Sequence, residues 1–195
     1  MLNASMYHAT ETLPNGHRLV IRATEPNDDL AGAIERKASP KSFFYRFLQP
    51  KHYLTDKEIA PFVNCDFVRQ VALIGLVRHN LRMAIVAGAR YWITRSDEAE
   101  IAFMVADAYQ RQGIGTAILN HLCSIARQAG LSHLYALATP DNEGASRLLN
   151  KLGFPCNIRS DPAQRMMHIT VDLTSATPSD GLRTAKETNI AGFCG

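Results

Sequence analysis

The stretch Gln110-Arg111-Gln112-Gly113-Ile114-Gly115-Thr116 decides the fold of this chain. It follows the apolar run Ile101-Ala102-Phe103-Met104-Val105 and opens a run of helical periodicity that reaches Gln128. A strand, a glycine-containing turn and a helix N-terminus in this order leave backbone N–H groups unpaired, and the helix dipole adds about half a positive charge. The two alternate glycines let the backbone approach a bulky ligand, because no Cβ intervenes. The stretch therefore predicts a pyrophosphate site.

Two familiar phosphate-binding patterns do not fit this turn. The dinucleotide fingerprint G-x-G-x-x-G requires a third glycine where Ile118 stands, and the P-loop requires a Gly-Lys pair, which the chain does not contain. The pattern Q/R-x-x-G-x-G/A does fit, with Gln110, Gly113 and Gly115 in register. A nicotinamide-dependent oxidoreductase is therefore the weakest functional alternative.

Length and composition predict one soluble domain with a full core, since the chain has 195 residues, 46% hydrophobic and 20% charged. No apolar run approaches the roughly 20 residues that cross a bilayer, and residues 1–16 lack a secretory signal, so we expect a cytoplasmic protein with no membrane partner. Four scattered cysteines without C-x-x-C spacing predict free thiols and no metal site. A net charge of +3 with dispersed basic residues does not favour nucleic-acid binding.

Residue patterns divide the chain into an N-terminal lead-in over 1–16, a domain over 17–173 and a flexible, Ser/Thr/Pro-rich tail over 174–195. The predicted elements alternate between periods of two and 3.6 residues, which is typical of an α/β domain with a mixed sheet. Predicted strands cover 18–22, 67–77, 84–93, 99–105, 134–138 and 165–173, and predicted helices cover 28–37, 41–48, 55–63, 115–128 and 142–152.

A second motif follows at Asn142 to Phe154 and is similar to N-x-x-A-x-x-L-Y-x-K-x-G-F. Together the two motifs resemble the GNAT superfamily of N-acetyltransferases. The resemblance implies a mixed, mostly antiparallel sheet flanked by helices and splayed where acetyl-CoA binds. It implies that the pantetheine arm pairs with the strand before the loop and that the pyrophosphate lies on the loop. The cofactor-binding residues would then be Phe103, Met104, Val105, Gln110, Arg111, Gln112, Gly113, Ile114, Gly115, Thr116 and Asn142.

Segments 42–47, 54–55, 66–73 and 99–105 are similar to the acetyltransferase domain of bacterial Pat-type protein lysine acetyltransferases. In those relatives the domain is often fused to a cyclic-nucleotide-binding or acyl-CoA-synthetase-like region, for which 195 residues leave no room. The resemblance implies a stand-alone version. It also implies acetyl transfer from acetyl-CoA to a primary amine, such as a lysine of an acyl-CoA synthetase or of another protein. No cysteine has a base beside it in the sequence, so we expect direct attack in a ternary complex and no acyl-enzyme.

Glu100 is the candidate general base. A lysine amine has a reference pKa of about 10.4 and must lose a proton before it attacks a thioester, which a carboxylate within direct or one-water reach can accept. The matching glutamate has this role in Pat-type enzymes. Glu98 is a rival with the same strand parity, so the face of the strand cannot separate the two. Glu100 is preferred because it lies closer to the cofactor strand.

Several other positions keep two interpretations. Leu149 stands where many members carry the tyrosine that protonates the departing thiolate, so no general acid is assigned. Asn142 either binds the pantetheine or substrate, or caps its own helix. Arg147 and Lys151 either meet CoA phosphates or form a solvated face. The aromatic cluster of Phe43, Phe44, Tyr45 and Phe47 either lines the acceptor groove or packs in the core. Arg46 is a candidate for orienting the substrate. No partners can be identified for His79, His121 and His133.

The acceptor remains open, because the GNAT motifs describe the cofactor half of the site only. A small amine, such as an aminoglycoside, polyamine or amino acid, is compatible with the same motifs. A CoA-binding sensor without turnover is a further alternative, which the leucine at position 149 keeps open.

Overall fold

The computed structural model describes residues 3–35, 38–50, 53–79 and 81–175. Eight strands in this part of the chain form one sheet in the order β1-β2-β3-β4-β5-β6-β8-β7. The strands are β1 His8–Thr12, β2 Arg18–Ala23, β3 Gln70–His79, β4 Arg82–Ile93, β5 Glu98–Val105, β6 His133–Ala138, β7 Cys156–Asp161 and β8 Met166–Asp172. The helices are α1 Leu30–Glu35, α2 Pro40–Phe47, α3 Asp56–Val63, α4 Ile114–Gln128 and α5 Glu143–Asn150.

Neighbouring strands run antiparallel everywhere except at the β5–β6 pair. This parallel contact is short, with only residues 98–100 of β5 in register with residues 133–135 of β6. Beyond it, β5 continues along β4 to Val105, while β6 continues along β8. The sheet therefore divides at this point, and the mixed, mostly antiparallel sheet predicted from the sequence is confirmed.

Helices cover both faces of the sheet. The side chains of α1 and α3 pack with Ile74 and Leu76 on one face, while α4 packs on the opposite face with β3, β4 and α5. Central strand β3 is buried on both sides from Val71 to Val77, which explains its unbroken apolar sequence. None of the described helices is both long and apolar enough to cross a bilayer.

Two strands were absent from the sequence prediction. The expected loose lead-in contains β1, which pairs with β2, and Ala4 and Leu13 beside it are 6% and 4% exposed. Edge strand β7 was also missed, because its side chains are mostly exposed and show no apolar alternation. The expected flexible tail lies outside the described residues except for Thr174 and Ser175.

The N-terminal segment is fastened to α4 by a polar network. His121, for which the sequence identifies no partner, is 5% exposed, and its Nδ1 shares a hydrogen bond with the Tyr7 hydroxyl. Its Nε2–H donates to Glu11 Oε1 at 2.9 Å. Burial, reinforced by the charge of Glu11, raises the pKa of Tyr7 to about 12. The network holds β1 against the helix that follows the glycine turn.

Candidate active site

A cleft of about 970 Å³ opens where β5 and β6 separate. Its walls come from the outer part of β5, the turn before α4, helix α2 and the start of α5. The volume is at the upper end of the range for small-molecule sites. Most of the residues predicted to bind the cofactor line this cleft: Phe103, Met104, Val105, Gln110, Arg111, Gly113, Gly115, Thr116 and Asn142. The other two, Gln112 and Ile114, are neighbours in sequence but do not line the cleft.

The glycine turn presents free backbone donors to the cleft. Arg111 and Gly113 have φ of 63° and 88°, and this left-handed backbone turns the chain sharply into α4. Within the described residues, the N–H groups of residues 111–116 donate no backbone hydrogen bond, whereas Ala117 N–H already bonds to Gly113 O at 3.0 Å. Unpaired N–H groups at a helix N-terminus favour an anion. The geometry thus suits the pyrophosphate expected there.

The two glycines also leave space for neighbouring side chains inside the protein. A Cβ at Gly113 would lie 3.1 Å from Pro14 Cδ, on the β1–β2 hairpin. A Cβ at Gly115 would lie 2.9 Å from Leu148 Cδ2, so any larger residue there would require the Leu148 side chain to shift. The absent side chains therefore make room for Pro14 and Leu148, in addition to any ligand.

Gln110 stabilises the loop from within. Its Nε2 donates to Val105 O at 3.0 Å and to Asp107 Oδ1 at 3.2 Å. Asp107 in turn accepts from the Ser42 hydroxyl at 2.6 Å and from Ser39 N–H at 3.0 Å, which joins α2 to the loop. The side chain of Gln110 is therefore occupied by its own loop, and its expected contribution to cofactor binding is positional.

Glu100 is partly buried in the cleft at the end of the β5–β6 pairing, directly beside Tyr135. The Tyr135 hydroxyl donates to Glu100 Oε2 at 3.1 Å, and the Tyr135 ring stacks on His168 with centroids 6.0 Å apart. Burial raises the pKa of Glu100, while the Tyr135 hydrogen bond and the charges of Arg90 and Arg46 act in the opposite direction. The net rise makes this carboxylate a stronger base than an ordinary glutamate.

Glu98 lies on the same face of β5 but in different surroundings. It forms an ion pair with Arg95 at 3.4 Å and lines a separate depression with His133, Tyr135 and strands β7 and β8. Glu100 lines the cleft that contains the glycine turn, and Glu98 does not. Position along the strand thus separates two glutamates that strand parity leaves equivalent.

Helix α5 supplies caps and packing to the cleft. The Asn142 side chain accepts from Ala145 N–H at 3.2 Å, so it caps α5, although the residue also lines the cleft. Arg147 pairs with Glu143 at 2.9 Å and is exposed. Leu149 is fully buried in the core, and the neighbouring Leu148 lines the cleft instead. Position 149 of this chain therefore supplies no proton to the cleft.

Helix α2 spans the mouth of the cleft. Phe43 is 2% exposed and packs against Phe47, which favours a core role for these two rings. Tyr45 instead lines the cleft, and its hydroxyl donates to Asp141 Oδ2 at 2.9 Å across the opening. Sequence reasoning missed Tyr135 and Trp92 at this site. A polar ring within the otherwise apolar strand β6 was the available signal for Tyr135.

Comparisons with known proteins agree with this geometry. The profile of the acetyltransferase (GNAT) family matches residues 41–154. The acetyltransferase PA5475 of Pseudomonas aeruginosa is 24% identical over 163 residues, which is 83% of this chain and 88% of the relative. The GNAT domain of S. lividans PAT superposes with a TM-score of 0.75 at 26% identity, covering 85% of this chain and 96% of that domain.

The fold also matches yncA of Salmonella typhimurium, solved with acetyl-CoA, with a TM-score of 0.63 at 18% identity over 83% of this chain and 98% of yncA. The family profile covers more than half of the chain, including the turn, Glu100 and the motif at α5. The chain therefore belongs to the acetyltransferase (GNAT) family, and it is an N-acetyltransferase.

Proposed function

We propose that this acetyl-CoA-dependent enzyme acetylates a lysine side chain of a protein by direct transfer, with Glu100 as general base. The observation that carries the proposal is the position of Glu100, partly buried in the cleft where β5 and β6 separate. A lysine entering the cleft as ammonium has to lose a proton, since its reference pKa is about 10.4. Glu100 accepts this proton directly or through one water, and the Tyr135 hydrogen bond orients its carboxylate.

The donor side of the cleft supports acetyl-CoA binding. The N–H groups of residues 111–116 and the N-terminus of α4 would hold the pyrophosphate, and the backbone of Phe103 to Val105 would pair with the pantetheine arm. When bound, acetyl-CoA supplies an acetyl thioester to the amine.

The described cysteines favour direct transfer over an acyl-enzyme. Cys65, Cys123 and Cys156 are free thiols, and none of them lines the cleft. Burial raises the pKa of all three, that of Cys123 to about 12, so their thiolate forms are scarce near neutral pH. The free thiols are also in keeping with the cytoplasmic location expected from the sequence.

The protein-lysine acceptor is supported by similarity to Pat-type enzymes. Segments 42–47 and 66–73 carry the resemblance, and S. lividans PAT is a similar structure over 96% of its GNAT domain. In this structure segment 42–47 belongs to α2, which borders the cleft, and segment 66–73 leads into β3 and contains its first residues. The resemblance thus extends to the acceptor side of the molecule.

Labelled acetyl-CoA and desalted lysate of the source organism test the proposal. Wild type, Glu100→Gln and the matched control Glu98→Gln are incubated in parallel, and proteins are separated from small molecules before the label is measured. A discrete protein labelled by wild type and by Glu98→Gln, but not by Glu100→Gln, supports the proposal. Label found only in small amines would identify the acceptor as a small molecule. Equal labelling by wild type and Glu100→Gln would show that Glu100 is not the general base.

A further inference from the structure

Two arginines near Glu100 lack hydrogen-bond acceptors. Arg90, on β4, has buried Nε and Nη1 atoms with no partner. Arg46, on α2, lines the cleft. Within the described part of the chain, neither guanidinium has a hydrogen bond or an ion pair with a carboxylate. A buried N–H group without an acceptor costs about 1–3 kcal/mol, and such groups in native proteins commonly await a water or an ion.

Aromatic rings hold both guanidinium groups in place. Arg90 Cζ lies 4.4 Å from the Phe62 ring centroid and 4.5 Å from that of Trp92. Arg46 Cζ lies 5.2 Å from the same Phe62 ring and 4.9 Å from that of Phe47. A cation–π contact supplies no conventional hydrogen-bond acceptor, so these contacts position the guanidinium groups without satisfying their N–H groups.

The charges of this cluster are unbalanced. Burial lowers the pKa of both arginines, and the charge of Arg90 lowers that of Arg46 further. Both groups nevertheless remain cations near neutral pH, as arginine does in proteins. Glu100 is the carboxylate that acts on both of them, and it forms a direct hydrogen bond with Tyr135 instead. Two cationic side chains thus face one carboxylate, so a second negative charge would balance this cluster.

We infer that Arg46 and Arg90 form an anion site, which binds a carboxylate of the acceptor molecule close to the amine that is acetylated. This inference deepens the proposed function and rests on it. Glu100 precedes Val105 by five residues, so this end of the cleft is roughly 17 Å of strand away from the end of β5 that leads into the pyrophosphate turn. The anion is therefore not the pyrophosphate of the donor.

The chemistry of the acceptor explains why it would carry the carboxylate. An ammonium group beside two guanidinium groups is repelled, which favours the neutral amine but weakens binding. A carboxylate on the same molecule offsets this repulsion by accepting from the guanidinium N–H groups. The carboxylate has two candidate sources, an acidic residue or chain terminus near a protein lysine, and the carboxylate of a free amino acid.

Trp92 provides a test that does not depend on turnover, because it is the single tryptophan of the chain and lies against Arg90. Sodium malonate is titrated against sodium chloride at equal ionic strength while tryptophan fluorescence is recorded. We expect a saturable malonate-specific change in wild type and in the exposed control Arg82→Gln, and a tenfold or greater loss of affinity in Arg46→Gln. A wild type without saturable binding overturns the site.

Two acceptor pairs then identify the source of the carboxylate. The first is Nα-acetyl-lysine and its carboxamide, and the second is a blocked peptide with Asp or Asn beside one lysine. We expect wild type to prefer the acidic member of at least one pair about tenfold in kcat/KM, and Arg46→Gln and Arg90→Gln to lose that preference. Because the ratio is taken within each variant, a reduced folded fraction does not change it.

The outcomes separate the inference from the function on which it rests. Preference in the peptide pair assigns a protein acceptor, and preference in the acetyl-lysine pair alone assigns a small one. The inference of an acceptor carboxylate is overturned if wild type shows no preference for the acidic acceptors or if both variants retain it. It is also overturned if Arg46 instead confers a preference for succinyl-CoA over acetyl-CoA. Saturable malonate binding without acetylation of any lysine probe supports the anion site and counts against the lysine acceptor.

Discussion

The donor and acceptor sides of the cleft are built in opposite ways. The proposed donor side uses backbone groups of one continuous stretch, residues 101–116, which contains the outer part of β5, the glycine turn and the start of α4. The proposed acceptor side uses side chains that come from α2, β4, β5 and β6, among them Arg46, Arg90, Glu100 and Tyr135. On this proposal, recognition of the donor is a local property of the chain, and recognition of the acceptor is a property of the assembled sheet.

This difference explains why one side of the cleft can be predicted from the sequence and the other cannot. Backbone recognition requires glycines and a helix start at fixed spacing, so it leaves a short pattern. Side-chain recognition requires only that distant residues meet, as Glu100 and Tyr135 do across 35 positions. Each variant below perturbs one side of the cleft and should leave the other unchanged.

The largest expected effect is that of Glu100→Gln. Loss of a general base lowers kcat by about 100- to 10,000-fold, while the Kd for acetyl-CoA should not change, because the glycine turn remains intact. Steady-state kinetics and calorimetric titration measure the two quantities, with Glu98→Gln as the matched control. A loss of acetyl-CoA affinity in Glu100→Gln would show that the two sides are not independent.

Gly113→Ala addresses the donor side. Alanine at a φ of 88° is strained, and its Cβ would lie 3.1 Å from Pro14 Cδ, so we expect a loss of about 1–2 kcal/mol in unfolding free energy. Acetyl-CoA should bind roughly tenfold more weakly, with kcat at saturation little changed. Denaturant unfolding and titration test this. The control is Gly88→Ala, which has open space around the new Cβ; an equal effect there would contradict the prediction.

Tyr135→Phe changes the pKa of Glu100 but keeps its carboxylate. The Tyr135 hydrogen bond lowers the pKa of Glu100, which burial raises, so its loss should raise that pKa further. A base works as the carboxylate, and activity is lost as pH falls through its pKa; the acidic limb of kcat/KM should therefore move to higher pH. On that limb the variant should be roughly two- to tenfold slower than wild type. A limb that moves to lower pH would exclude this role.

The smallest effects are expected from the two ends of α2. Tyr45→Phe removes the hydrogen bond to Asp141 and should raise the acceptor KM about two- to threefold, with the Kd for acetyl-CoA unchanged. Ser42→Ala removes a hydrogen bond to Asp107 in the turn and should act on acetyl-CoA affinity instead. Identical effects of both changes on both ligands would mean that α2 acts as one unit.

The sequence alone predicted the long helix after the glycine turn and one helix cap closely. The helix expected over 115–128 is α4 Ile114–Gln128, and the capping box expected at Thr55 is present, with its N–H donating to Glu58 Oε2 at 2.9 Å. Hydrophobic period and cap residues are local signals, and both are strong here. By contrast, β1 and β7 are short edge strands with exposed side chains, so they carry no apolar alternation.

The acceptor side could not be derived in the same way. Glu100 was proposed through family resemblance, and Arg90 was not singled out, because an arginine in an apolar strand gives no sign of what it faces. Contacts such as Tyr7 with His121, 114 positions apart, likewise follow only from the folded topology. Such pairs depend on how the strands are ordered, which a single sequence does not specify.

The short contact between β5 and β6 has a mechanical consequence. Strands β1–β5 and strands β6–β8 form two parts of the sheet that share three residue pairs, and beyond Glu100 none of the described strands lies beside the edge of β5 that faces β6. An extended ligand lying along that edge takes the place of a strand, as in β-augmentation. We expect acetyl-CoA bound along that edge to bridge the two parts of the sheet, and so to stabilise the whole sheet against unfolding by an amount that grows as its concentration exceeds its Kd.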